Sequence, residues 1–276
     1  MKIYCAKYGG FCFGVKRAIK MALDAAVEGK LVYSLGPLIH NQIAVEDLKK
    51  RGIFTVDNIN EIKNKKVIIR SHGIHPDILR SLKKKNFEII DATCPRVRRA
   101  QRYVEKLIKE GYYVIIIGEK DHPEVKGLLG YARGKAEIYS DNLGLKTKKI
   151  GVVPQTTLDI EHFNRAVSNL VGSVLEMKIY NTICHETIFR IKEALKIAKK
   201  ADVMIVVGGK NSANTTRLYQ ICKKIKSSYQ IESADEISPV WFKNVKSIGI
   251  IAGASTPKEQ IEDVAKYLRK MPPKSK

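Results

Sequence analysis

Three cysteines, each followed by a glycine at a fixed distance, constrain this chain more than any other feature. Cys12 and Gly36, Cys94 and Gly118, and Cys184 and Gly208 are all 24 residues apart. One offset recurring in three places marks an internal repeat. Each cysteine opens a helical pattern. After Cys94, Val97, Ala100, Val104 and Leu107 keep the i, i+3, i+4 spacing of a buried helix face. After Cys184, Ile188, Ile191, Leu195 and Ile197 do roughly the same. Each glycine closes a short β-type run: LVYSLG, VIIIG and VMIVVG.

The echo continues beyond the glycines. A second strand-like run follows in each repeat, KVIIRSHGIHP, KIGVVPQTTLD and SIGIIAGASTP, with a shorter run between the two at FTV, EIY and QIE. FEIIDATC and LEMKIYNTIC then run into the next cysteine. The last repeat lacks this closing strand, but MKIYCAK at the N-terminus resembles MKIYNTIC and predicts a strand that completes it. Alternating strands and helices point to an α/β fold with parallel sheets. The expected architecture is three small α/β domains related by a pseudo-threefold axis, a trefoil around a central site. The expected boundaries are 7–92, 93–180 and 181–270 with 1–6, and a disordered tail at 271–276.

In parallel sheets, ligands bind at the carboxyl ends of strands. Those ends carry His40, His122 and Ser212, each four residues beyond the repeat glycine, and His72, Gln155, Thr156 and Ser255 on the second strands. Asn214 lies beside Ser212 in GKNSANTT. Several of these tips precede helices, whose free N–H groups favour anions. A phosphate or diphosphate suits them. Glu124, two residues beyond His122, becomes a proton donor if enclosure raises its pKa. His75, His162 and His185 are given no role.

Three thiolates brought together hold zinc or an iron–sulfur cluster, and their softness alone does not decide between the two. Cys5 and Cys222 fall outside the repeat and read as core. Five widely spaced cysteines argue against a disulfide framework. The chain carries 50 basic and 28 acidic residues, a net charge of +22. The lysines are spread along the whole length, and aromatics make up only 7%, so no base-stacking platform is visible and no nucleic-acid partner is expected. Apolar runs fall far short of the ~18 residues of a membrane span, and the N-terminus lacks a signal-peptide core, so the chain reads as cytoplasmic.

GFCFGVKRAI, LIHNQ, SHGIHP, DATCP, GEKDHPEVKG, QTTL, NTIC, GGKNSANT and AGAST, in this order, resemble the 4-hydroxy-3-methylbut-2-enyl diphosphate reductases that end the non-mevalonate isoprenoid pathway. The resemblance covers residues 1 to about 270. It implies an iron–sulfur oxidoreductase in which Cys12, Cys94 and Cys184 ligate one [4Fe–4S] cluster, leaving one iron without a protein ligand. It further implies that His40, His72, His122, Ser212, Asn214 and Ser255 clamp the diphosphate. By the same resemblance Thr156 would contact the reacting hydroxyl and Glu124 would supply its proton, with His122 beside them. A ferredoxin or flavodoxin would deliver electrons singly. Three residues depart from the family pattern: Ala213 where a second serine is usual, Glu186 after the third cysteine, and Arg96 after DATCP.

Overall fold

The computed structural model describes residues 1–145 and 147–271; of the expected tail at 271–276, Met271 is ordered, half-buried against the core of the last sheet, and 272–276 lie outside the described residues. Among the described residues, twelve strands form three parallel four-stranded sheets. In the first, β2 (Val32–Leu35), β3 (Ile53–Val56), β4 (Lys66–Ile69) and β5 (Glu88–Asp91) run in the order β3-β2-β4-β5. In the second, β6 (Tyr113–Ile117), β7 (Ala136–Ile138), β8 (Lys149–Pro154) and β9 (Glu176–Ile179) run β7-β6-β8-β9. The third joins β10 (Val203–Val207), β11 (Ser227–Ile231) and β12 (Ser247–Ala252) to the N-terminal strand β1 (Lys2–Cys5), in the order β11-β10-β12-β1. All three sheets share one order: second strand, first, third, fourth. The repeat in the sequence is a repeat in topology, and β1 completes the third copy through parallel pairing with β12, Lys2 opposite Ser247.

Nine α-helices accompany these strands among the described residues. They are α1 (Phe13–Ala25), α2 (Gln42–Lys50), α3 (Pro76–Lys84), α4 (Pro95–Lys109), α5 (Pro123–Tyr131), α6 (Ile160–Val171), α7 (His185–Ala198), α8 (Ala213–Lys223) and α9 (Lys258–Lys270). The chain groups into two compact units. One comprises residues 1–16, 39–47 and 185–276; the other comprises 17–38 and 48–184. The first unit holds the third sheet, and the second unit holds the other two.

The third sheet shows why strands such as VMIVV read as continuous apolar runs. Val203, Ile205 and Val207 pack with Val264, Ala265 and Leu268 of α9 on one face. Met204 and Val206 pack with Ala194, Ile197 and Ala198 of α7 and Leu218 and Cys222 of α8 on the other. A parallel sheet covered on both faces has no polar side to display. Cys222 is core as expected, and burial pushes its thiol up to about 12. Cys5 is not: it is exposed, because β1 is an edge strand paired only with β12.

The helix after Cys184 also differs from its expected face. Thr187, Arg190, Ala194, Ile197 and Ala198 are buried, while Ile188, Ile191 and Leu195 are only partly covered. The face is turned because Arg190 goes inward, where backbone carbonyls receive its guanidinium.

Close helix–sheet packing depends on a glycine in the third position of the third strand. A Cβ on Gly151 of β8 would lie 2.6 Å from both Leu107 methyl carbons of α4, and one on Gly249 of β12 would lie 2.5 Å from Ile197 of α7. Leu107 and Ile197 are each 13 residues beyond their cysteine. At the equivalent positions the first repeat has Ala25 and Ile68, small and large exchanged. Gly151→Ala should therefore overpack the second sheet and cost about 1–3 kcal/mol. Denaturant unfolding of the metal-free chain measures it, and an unchanged midpoint would contradict this packing.

Candidate functional site

The three repeat cysteines occupy one structural position. Each sits between the fourth strand of a sheet and the helix that follows. Each donates its backbone N–H to a carbonyl two residues past the end of a third strand: Cys12 to Ala254 (2.9 Å), Cys94 to Ser71 (2.9 Å) and Cys184 to Thr156 (2.8 Å). Each cysteine is thereby pinned to the carboxyl edge of a sheet. Local turns prepare two of these positions. Asp91 Oδ1 accepts from Thr93 N (3.0 Å), and Asn181 Oδ1 accepts from Ile183 N (3.1 Å). An Asx residue three places before the cysteine thus bends the chain into the helix. The first repeat has Gly9 there and Gly10, at φ +97°, next to it.

Helix starts point N–H groups at the sulfurs. Val15 N lies 3.5 Å from Cys12 Sγ. Burial raises the Cys94 thiol, N–H groups of Arg96 and Val97 lower it, and the nearby Cys184 and Glu124 raise it further. Cys94, Cys184 and Glu124 therefore lie within electrostatic reach of one another. Two half-buried thiols within reach of each other, with backbone N–H donors aimed at Cys94, fit a group that binds them as thiolates.

In the unit comprising 17–38 and 48–184, Glu124 is the centre of the arrangement. It stands in the first turn of α5 and is only 2% exposed. Its carboxyl accepts from Thr156 N (2.7 Å) and Thr156 Oγ1 (2.8 Å). Burial raises its pKa to about 7, against the opposing hydrogen bonds from Thr156. Thr156 also accepts Cys184 N–H at its carbonyl. One buried residue therefore connects the carboxyl to a cysteine. His122 caps α5, its Nδ1 accepting from Glu124 N (3.2 Å), and its ring meets that of His72 edge-on with centroids 5.6 Å apart. Gln155 serves the strand tip instead, accepting from Glu119 N (3.0 Å) and donating to Thr157 Oγ1 (2.7 Å).

In the other unit, Cys12, His40, Ser212, Asn214 and Ser255 gather around the tips of β10 and β12. Ser255 Oγ donates to the His40 carbonyl (2.9 Å). Asn41 Nδ2 donates to Gln260 Oε1 (3.0 Å), which seats the His40 segment on α9. A Cβ on Gly209 would come within 2.8 Å of the His40 carbonyl, so the second glycine of GGKNS is set by this approach. Ser212 caps α8, accepting from Thr215 N (3.4 Å). Asn214 Nδ2 is buried with no hydrogen-bond partner. Leaving such a donor unsatisfied costs roughly 1–3 kcal/mol, which a bound acceptor would recover.

Arg190 was not foreseen as part of the site. It is 3% exposed, and its guanidinium donates to the carbonyls of Tyr8, Gly10 (2.7 Å) and Ala252 (3.3 Å). Glu186 Oε1 accepts from Phe13 N (3.2 Å), and Glu193 accepts from Lys7 N (2.7 Å) and Tyr8 N (2.9 Å). One face of α7 holds the loop that carries Cys12. The departure at Glu186 caps α1. Its only sequence signal is the spacing of Glu186, Arg190 and Glu193 by four and three residues, which ordinarily reads as a solvated helix face.

Fold and site together define an α/β protein with a thrice-repeated cysteine position at the carboxyl edges of its sheets and a buried acid at one strand tip. The LytB protein family model matches residues 3–269, and the chain belongs to that family. It is 44% identical over 270 residues to the 4-hydroxy-3-methylbut-2-enyl diphosphate reductase of Citrifermentans bemidjiense, covering 96% of this chain and 95% of that protein. A solved structure of (E)-4-hydroxy-3-methyl-but-2-enyl diphosphate reductase, described as the terminal enzyme of the non-mevalonate pathway, is 44% identical. It has a TM-score of 0.73 and covers 98% of this chain and 100% of that one. The Plasmodium falciparum reductase structure is 30% identical, with a TM-score of 0.93 over 98% of this chain and 89% of that one. No helix among the described residues is long and apolar enough to cross a membrane.

The raised Glu124 carboxyl has a consequence for stability. Its folded pKa of about 7 lies above the unfolded value of 4.5, so the folded chain binds the extra proton between these limits. Stability contributed by the neutral carboxyl is full below pH 4.5 and is lost as pH rises through 7. Glu124→Gln should flatten that slope. Unfolding of the metal-free wild type and variant from pH 4.5 to 8 measures it, and parallel curves would contradict a buried neutral Glu124.

Proposed function

We propose that this chain reduces 4-hydroxy-3-methylbut-2-enyl diphosphate to isopentenyl and dimethylallyl diphosphate. Two electrons and two protons enter, and the hydroxyl leaves as water. The observation that carries this reading is the link from Glu124 through Thr156 to Cys184: a buried acid poised near pH 7, a hydroxyl and a thiol position on one connected path. Its support beyond geometry is the near full-length likeness to reductases of this name.

Cys12, Cys94 and Cys184 would hold one [4Fe–4S] cluster, with one iron lacking a protein ligand. When bound, the cluster supplies one-electron transfer and a Lewis-acidic iron. The rest falls to the chain. His40, His72, His122, Ser212, Asn214 and Ser255 are the proposed diphosphate-binding residues. The orphaned Asn214 donor and the N-terminus of α8 suit its oxygens. Thr156 orients the substrate hydroxyl. Glu124 holds a proton near neutral pH and passes it, through the Thr156 hydroxyl, to the departing oxygen. The excess of basic residues attracts a polyanionic substrate. An acidic ferredoxin or flavodoxin is the proposed electron source.

The three repeats are proposed to span 7–92, 93–180 and 181–270 with 1–6, since each set of four strands falls within one of these ranges.

With reduced methyl viologen as donor, the anaerobically reconstituted protein should convert the substrate to both products. Glu124→Gln should keep substrate binding within a few-fold and lose about 100-fold or more in kcat. Turnover unchanged in the variant would remove Glu124 from the reaction. No conversion by the wild type would overturn the assignment.

A further inference from the structure

The face of α7 that holds the Cys12 loop also shapes the surface above it. Tyr8 and Phe189 stack with ring centroids 5.6 Å apart, yet remain 50% and 46% exposed. Phe13, next to Cys12 and capped by Glu186, is 56% exposed. A groove of about 560 Å³ runs from this aromatic pair along β1 and α7, past Lys7, Lys192, Lys196 and Lys200. All four lysines are exposed, and among the described residues none is in an ion pair. The carboxylates on the same face are consumed internally. Glu193 takes the N–H groups of Lys7 and Tyr8, while Glu186 takes that of Phe13 and faces Arg190 at 3.8 Å. What remains outward is an apolar centre with a positive rim, set against the loop that carries Cys12.

We propose that this face is the docking surface for an acidic one-electron carrier protein. The proposal rests on the reductase reading above, which requires electrons from outside the chain. Each turnover oxidises two reduced carriers, one per docking event. The two electrons, with two protons, convert one substrate molecule to product and water. The lysines set the encounter by charge. The exposed aromatics supply the desolvated centre that protein interfaces use. Continuity of the patch with the Cys12 loop, through Tyr8 and Phe13, places the carrier against one of the proposed cluster ligands.

The test uses the reconstituted protein and a plant-type [2Fe–2S] ferredoxin as probe. Calorimetry at low ionic strength should show the Kd for oxidised ferredoxin weakened about tenfold in Lys192→Glu/Lys196→Glu, with a shallower salt dependence. Lys196→Glu/Lys200→Glu should act in the same direction. Lys83→Glu/Lys84→Glu on α3 makes the same change in net charge and should shift the Kd less than about twofold. Turnover with reduced methyl viologen should be unchanged in all three, while the KM for ferredoxin rises in the α7 variants. An unchanged Kd, an equal loss in the α3 variant, or a fall in viologen-driven turnover would overturn the docking surface. A wild type that fails to turn over with viologen would overturn the reductase reading instead, and the Kd comparison would still judge the surface.

Discussion

One hydrogen bond, made three times, underlies the rest of this structure. A cysteine N–H donates to the carbonyl just past the end of a third strand: Ala254, Ser71 and Thr156 in turn. The bond joins two segments that the chain must otherwise keep apart, the start of a helix and the tip of a strand. It fixes each thiol at the edge of a parallel sheet where free N–H groups and small tips accumulate. The helix after each cysteine then packs on the sheet, and in two repeats a glycine on the third strand admits its large side chain. The constraint is carried by backbone atoms. The side chains around it are consequently free to differ, as Ala254, Ser71 and Thr156 do.

That freedom lets chemistry be concentrated at one tip. Only at Thr156 does the strand-end residue also bind a buried carboxylate, through both its N–H and its hydroxyl. Burial keeps Glu124 proton-bearing near neutrality, whereas the two hydrogen bonds from Thr156 pull the other way. The balance leaves an acid able to give and regain a proton at working pH. A repeat fold of three similar copies thus supplies three equivalent cysteine positions and one strand tip that holds a buried acid.

The fold was legible because parallel strands buried on both faces announce themselves as apolar runs, and the glycine offset gave their phase. Even β1 was recoverable, since MKIYC and MKIYN differ by one residue. The positions of the candidate site residues were legible: histidines, serines and the acid stand at strand tips that the repeat marks. Two features were not. Cys5 has the neighbours of a core strand, and only sheet order reveals that its strand is an edge. Arg190 lies off the apolar face that periodicity marks, and only the carbonyls of Tyr8, Gly10 and Ala252 explain a buried guanidinium. Both depend on partners at least 62 residues away in sequence, beyond the reach of any local pattern.

The central claim is that thiols from three repeats serve one inorganic centre. Quantifying iron, acid-labile sulfide and zinc in anaerobically reconstituted wild type and Cys94→Ser tests it most directly. The account predicts about four iron ions and four sulfides per wild-type chain, with most of both lost in the variant. Zinc in place of iron, or a full complement of cluster in Cys94→Ser, would contradict it.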